Sequence, residues 1–228
     1  MESHIKATIN RYKATVKSWD VVNEALSDDA NPATLYRDSQ FYQISGASYI
    51  KKAFQWAAEA DPTAELWYND YNLEEPTKLA KLLTMIDDLQ GQGIPLTGIG
   101  LQGHYSLGWP GETLIRNTVD AIVAKGLKVK ISELDVTVYD DYSSGSFSPE
   151  AQKPCDSTVQ KALANRYDEI FTIFRSYQTH TKSISFWGLK DDESWLNDFP
   201  VTGRANCPLL FDASRNPKAA FERVIEIP

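Results

Sequence analysis

Apolar residues along this chain recur in two rhythms, and the rhythms alternate. Short β-rich runs occupy residues 16–23 (VKSWDVVN), 65–70 (ELWYND), 96–102 (LTGIGLQ), 128–136 (KVKISELDV) and 183–189 (SISFWGL). Between them, apolar positions fall at i, i+3, i+4 and i+7, the spacing that lines one face of a helix. Ile50, Ala53, Phe54 and Ala57 make one stripe, and Leu79, Leu82, Leu83 and Ile86 a second. Ile115, Val119, Ile122 and Val123 make a third, and Leu163, Tyr167, Ile170, Phe171 and Phe174 a fourth. Residues 1–9 read as a helix leading into the first strand. Pro76 and Pro217 suit first-turn positions, while Gly91 and Gly126 suit C-terminal stops.

Strands separated by helices predict βα units and a parallel sheet. A doubly wound nucleotide-binding sheet needs a glycine-rich turn after a strand, yet the chain has no GxGxxG and no GxxxxGK[ST]. Gly98, Gly100 and Gly103 are too sparse to form one. The better reading is α/β of the (β/α)8 TIM-barrel type, with about five βα units where closure needs eight. Composition adds mainly exclusions. The chain has 228 residues, 42% hydrophobic and 24% charged, which places it among globular domains rather than disordered tails. A formal net charge of -8 without a Lys/Arg cluster argues against a nucleic-acid partner. No apolar run approaches the roughly 18 residues of a membrane span, and no signal peptide opens the chain. Cys155 and Cys207 are too few for a disulfide scaffold or a zinc knuckle.

Polar residues gather where strands end, which in a barrel of this type is where chemistry sits. The first strand finishes in Asn23-Glu24, the second in Asn69-Asp70-Tyr71-Asn72, and the third in Gln102-Gly103-His104. The fourth carries Glu133 and Asp135, and the fifth ends near Trp187. Each has an ordinary explanation: Asn23-Glu24 as a helix cap, His104 as a structural histidine, Trp187 and Trp195 as core. Glu133 resists one, because a carboxylate between Ile131 and Leu134 in a buried strand is costly unless paired or used. Two carboxylates at strand ends around one mouth are the machinery of glycoside hydrolysis. Amide side chains such as Asn23 and Gln102 suit sugar hydroxyls, and Trp and Tyr rings offer platforms for pyranose faces. The three histidines, His4, His104 and His180, make no metal set, and a serine nucleophile lacks its GxSxG elbow. No metal or cofactor is expected.

Six segments then carry a resemblance: RYK (11–13), WDVVNEA (19–25), YNDYN (68–72), GIGLQGHY (98–105), ISELDV (131–136) and FWGLKDDESWL (186–196). In this order they resemble glycoside hydrolase family 10, the retaining endo-β-1,4-xylanases. The resemblance implies Glu24 as general acid/base and Glu133 as nucleophile, with xylan or xylo-oligosaccharides as substrate. It implies that His104 positions Glu133, with Asp135 on the far side of the ring. Asn23 would hold a sugar 2-hydroxyl, Gln102 would contact the sugar at the cleavage subsite, and Tyr71 would stack on the leaving side. Asn72 is a lesser member of the same motif. Trp187 and Trp195 would wall the cleft. The carboxyls of a retaining pair stand about 5 Å apart, which raises one pKa above the other.

In this family WDVVNEA closes the fourth strand, so residues 1–228 match the barrel from that strand onward. No ENxMKW-like or HxLVWHxQ-like segment occurs, and the first three βα units with their glycone-binding residues are expected from a second polypeptide or an upstream segment. Alternative readings are a shortened gene, a non-catalytic carbohydrate-binding or structural fragment, and a broader β-1,4-glycanase. Cys155 and Cys207 fall in neighbouring loops of the barrel order, where either a disulfide or two free thiols fit. A polysaccharide substrate implies a secreted, periplasmic or cell-surface location. Residues 139–157, polar and without periodicity, read as a mobile flap or a passive surface insertion.

Overall fold

The computed structural model describes residues 1–139, 152–153 and 155–226. The segment read as a flap therefore lies largely outside the described residues. In chain order the elements are α1 (Glu2–Tyr12), β1 (Ser18–Asn23), α2 (Gln40–Ser45), α3 (Ser48–Ala60), β2 (Glu65–Asp70), α4 (Pro76–Gly91), β3 (Gly98–Leu101), β4 (His104–Ser106), α5 (Glu112–Ala124), β5 (Lys128–Thr137), α6 (Ser157–Ser176), β6 (Thr181–Phe186) and α7 (Ala219–Glu226). They divide into two compact units. The first joins Met1–Gln102 to Asn117–Lys130, and the second joins Gly103–Arg116 to the described residues from Ile131 onward.

In the first unit β1, β2 and β3 run parallel. Trp19 lies opposite Leu66, Asn23 opposite Asn69, and Asp70 opposite Leu101, so the polar strand ends stand level. The Lys128 N–H donates to the Thr97 carbonyl at 3.2 Å and brings the start of β5 beside β3. The α3 stripe becomes a buried face, with Ile50, Ala53, Phe54 and Ala57 all at most 2% exposed, whereas on α4 Leu82 and Ile86 are buried with Met85 and Leu89 while Leu79 and Leu83 are only half-buried. Each large apolar side chain buried this way contributes roughly 1.5–3 kcal/mol. Glu75 caps α4 by accepting from the Lys78 N–H at 2.7 Å, and Pro76 takes the first turn as expected. The stop expected at Gly91 falls later. Gly91 is still helical, and the left-handed residue is Gly93, at φ 68°.

In the second unit β4 runs parallel to β5, with His104 opposite Asp135 and Tyr105 opposite Val136, and β6 also pairs with β5. Asp156 caps α6, accepting from the Thr158 and Val159 N–H groups at 3.0 Å each. Leu163, Tyr167, Ile170 and Phe174 form its buried face, and α6 packs against α7. Pro217 is not in the first turn of α7. It precedes Ala219 by two residues and bridges to Phe211, because Phe211 and Pro217 close a short loop before the helix starts. Cys155 and Cys207 form a disulfide, with Cα atoms 6.3 Å apart.

One predicted strand divides. Residues 96–102 were expected to run into His104 as a single strand end, but Gly103 at φ 81° breaks the run into β3 and β4. A side chain at Gly103 would stand 2.5 Å from the Ile131 Cγ2, so only glycine fits the turn. Gln102 thereby stays with the first unit and His104 goes to the second.

Candidate active site

In the first unit the chain leaves β1 through a strained residue. Glu24 has φ 54°, a left-handed conformation that costs a non-glycine residue roughly 1–2 kcal/mol. It does not cap a helix, since the next helix, α2, begins at Gln40 with Ser39 as its cap. Three hydrogen bonds hold the bend instead. The Glu24 N–H donates to the Asn69 carbonyl at 2.9 Å, and the Ala25 and Leu26 N–H groups donate to the Tyr68 hydroxyl at 3.0 and 3.1 Å. Tyr68 in turn donates to Asp70.

The carboxylate so aimed is gripped on both oxygens. Gln102 Nε2 donates to Oε1 and Arg37 Nη1 to Oε2, each at 3.0 Å, while 32% of the side chain stays open to a ligand. Asn23 Oδ1 accepts from Asn69 Nδ2 at 2.9 Å and from Gln102 Nε2 at 3.3 Å. Arg37 Nη2 also donates to the Tyr71 hydroxyl at 2.6 Å, and Tyr71 donates to Asp28. Lys78 donates to Asp28 at 2.7 Å, pairs with Asp70 at 3.0 Å, and stands 3.6 Å over the Tyr71 ring. Burial pushes the Asp28 carboxyl up, but the bonds from Lys78 and Tyr71 outweigh it and hold it below its ordinary value. Burial and Asp28 push the Tyr71 hydroxyl well up, so it remains a neutral donor.

In the second unit His104 lies between two carboxylates. Its Nδ1 is 2.9 Å from Asp135 Oδ1 and its Nε2 is 3.4 Å from Glu133 Oε2. Trp195 Nε1 donates to the other Asp135 oxygen at 2.8 Å. The parallel register puts His104 opposite Asp135, and Glu133, two residues earlier, projects from the same face of β5. Burial lowers the His104 pKa, but the bonds to Asp135 and Glu133 more than offset that, and it rises from 6.5 to about 9. The ring is therefore an imidazolium at neutral pH, with both nitrogens donating. An imidazolium there aims the Glu133 carboxylate and balances its charge. The Trp195 ring meets His104 edge-on at 5.0 Å between centroids, and the half-exposed Trp187 does so at 6.4 Å.

Of the residues singled out in the sequence, Asn23, Glu24 and Gln102 come together directly, with Tyr71 joined to them through Arg37. Glu133, His104, Asp135 and Trp195 form the second group, with Trp187 at its margin. Asn72, at φ 52°, turns the chain after β2. Trp195, expected to wall a cleft, donates to Asp135. Sequence reasoning missed Arg37, Asp28 and Lys78. Arg37 and Asp28 lie in the aperiodic stretch after β1, and Lys78 looks like any helix-surface lysine. Asn69 and Asp70 were visible in YNDYN but had no role. Among the described residues no group of three His, Cys, Asp or Glu side chains is placed to hold a metal, and no helix is long and apolar enough to cross a membrane.

Comparison with known proteins gives this geometry its context. The family model for glycosyl hydrolase family 10 matches residues 1–227. An endo-1,4-β-xylanase of Geobacillus stearothermophilus is 42% identical over 229 residues, covering 100% of this chain and 67% of that protein. A β-1,4-xylanase of Dictyoglomus thermophilum is 40% identical over 226 residues, covering 99% of this chain and 62% of its own. Among solved structures, a family 10 endoxylanase from a sugarcane soil metagenome aligns with TM-score 0.91 and 38% identity, over 99% of this chain and 66% of that one. A xylanase of Paenibacillus barcinonensis bound to a conduramine derivative aligns with TM-score 0.89 and 35% identity, over 98% and 66%. The chain thus spans roughly two-thirds of the length of these relatives and carries the α/β fold of the C-terminal part of their (β/α)8 barrel. It belongs to glycosyl hydrolase family 10.

Proposed function

We propose that this chain supplies both catalytic carboxylates of a retaining endo-1,4-β-xylanase. Glu133 attacks the anomeric carbon of an internal xylosyl unit while Glu24 gives its proton to the departing glycosidic oxygen. The bond to the leaving chain breaks as the ester to Glu133 forms. Water then attacks the same carbon, passes a proton to Glu24 and releases Glu133, so the configuration is retained. Asn23 holds the 2-hydroxyl, Gln102 the sugar at the cleavage point, and Tyr71 the leaving side, with Trp187 and Trp195 flanking the substrate.

The observation that carries the reading is the bonded series Glu133–His104–Asp135–Trp195. A buried imidazolium fixed by a buried carboxylate has one evident use here, which is to aim an anion that must act as a nucleophile. Turnover in this proposal requires the first three βα units, supplied upstream or by a second polypeptide, because they complete the glycone side. A secreted, periplasmic or cell-surface location suits this reading, since the substrate is polymeric and Cys155 and Cys207 form a disulfide.

The test is covalent trapping with 2,4-dinitrophenyl 2-deoxy-2-fluoro-β-xylobioside, which forms the ester quickly and loses it slowly. The expected result is one fluoroxylobiosyl group per active molecule, mapped by peptide mass spectrometry to Glu133. A label on any other side chain, in protein that hydrolyses xylan, would falsify the assignment.

A further inference from the structure

Two separate sets of bonds converge on Glu24, and both start from one lysine. The first set acts on the backbone. Lys78 pairs with Asp70 at 3.0 Å, Asp70 accepts from the Tyr68 hydroxyl, and that oxygen accepts the Ala25 and Leu26 N–H groups that follow the left-handed Glu24. The second set acts on the side chain. Lys78 donates to Asp28 at 2.7 Å, and Asp28 accepts from Tyr71, whose oxygen accepts from Arg37 at 2.6 Å. Arg37 then donates to Glu24 Oε2 at 3.0 Å. All these residues belong to the first unit.

We propose that Lys78 is the positioning residue of the acid/base, its single ammonium holding both the backbone bend at Glu24 and the direction of the Glu24 carboxylate. The inference rests on the reading of Glu24 given above and extends it to a buried residue on α4. The side chain of Lys78 is 4% exposed, and Asp70 is fully buried. An ammonium in that setting is costly unless it is fully bonded, and its two carboxylate partners are the origins of the two sets. A left-handed glutamate reverts to a relaxed backbone unless its surroundings forbid it, and the Ala25 and Leu26 amides pinned by Tyr68 act here beside the Glu24 N–H bond to the Asn69 carbonyl. The Lys78 ammonium also stands 3.6 Å over the Tyr71 ring, so the aromatic proposed for the leaving side and the proton donor share one anchor.

The experiment compares Lys78→Met and Tyr68→Phe with the unaltered enzyme by two readouts. Tyr68→Phe keeps the ring and its packing, so it reports even where Lys78→Met fails to fold. The first readout is amide hydrogen exchange. Ala25 and Leu26 should exchange about tenfold faster in either variant, while the core amides of α4 keep their protection. The second is leaving-group dependence, since a displaced general acid matters only where the leaving oxygen needs a proton. The kcat on xylan should fall about 10–100-fold with KM little changed, and kcat/KM on 2,4-dinitrophenyl β-xylobioside should hold within about threefold. Unchanged exchange at Ala25 and Leu26 overturns the proposal, and so does an equal loss on both substrates. Glu24→Ala separates the two levels of inference. If it shows no leaving-group dependence, the acid/base reading fails and takes the effect of Lys78 on turnover with it, while the exchange data still decide whether Lys78 holds the bend.

Discussion

Gly100 has no room for a methyl group. A Cβ there would stand 2.3 Å from Asn69 Oδ1, and Asn69 is the donor that fixes Asn23. Gly100→Ala must therefore push the amide aside. The expected cost is roughly 1–3 kcal/mol in urea unfolding, and under the proposed function the misplaced Asn23 should also weaken xylo-oligosaccharide binding. An unchanged midpoint would mean that Asn69 relaxes freely. His104 makes a second prediction at this scale, and its sign follows from a folded-state pKa of about 9 against 6.5 unfolded. The folded state binds the proton more tightly, so the stabilisation is complete below about pH 6.5 and is lost as pH rises through about 9. A shift of this size corresponds to roughly 3 kcal/mol. Unfolding followed from pH 6 to 10 should show that decline, and His104→Asn should flatten it. A variant that keeps the full decline would assign the pH dependence to other groups.

At the scale of elements, the Cys155–Cys207 link joins the approach to α6 to the loop that follows Gly203. Cys207 is buried against Val138 and Tyr139, its N–H donates to Asn206, and its carbonyl accepts from Lys218 at 2.8 Å. The link closes a separation of 52 residues, for which chain entropy suggests roughly 4 kcal/mol. Melting with and without reductant should show a loss of that order, and an unchanged midpoint would mean that the noncovalent bonds around Cys207 suffice. Most elements were legible beforehand, because burial on one face writes a period into the sequence: the α3 stripe is buried throughout, those of α4, α5 and α6 are buried except for half-buried Leu79, Leu83, Val123 and Phe171, and β2 has the bounds expected. The exceptions have local causes. The split at Gly103 depends on a left-handed glycine set against Ile131, a contact 28 residues distant that no period encodes. The six-residue α2 is too short to show a stripe. The carboxylates and their amide neighbours stood out because polar groups at strand ends interrupt an apolar pattern. Arg37 and Lys78 interrupt nothing, and only the folded geometry singles them out.

For the molecule as a whole, the burial of its strands poses the remaining question. Every residue of β2 after Glu65 is buried, whereas in β1 only Val22 is, and β6 has none. Among the described residues β1 has β2 as its one strand neighbour. Apolar grooves accompany both strands: one in the first unit lined by Ile5, Ile9, Trp19 and Val21, and one in the second lined by Phe171, Phe174, Ile184 and Val224. Exposed strand edges beside apolar grooves invite pairing, and the proposed function assigns both grooves to further βα units. If turnover depends on them, active material examined by native mass spectrometry should be heavier than the 25.6 kDa of this chain. The excess for three βα units is roughly 10–17 kDa, either continuous with this chain or as a separate subunit. Hydrogen exchange should then show the amides of β1 and β6 protected as strongly as those of β2. A lone 25.6 kDa species that hydrolyses xylan would refute this dependence, because β1 and β6 would then stand without added partners in a working enzyme.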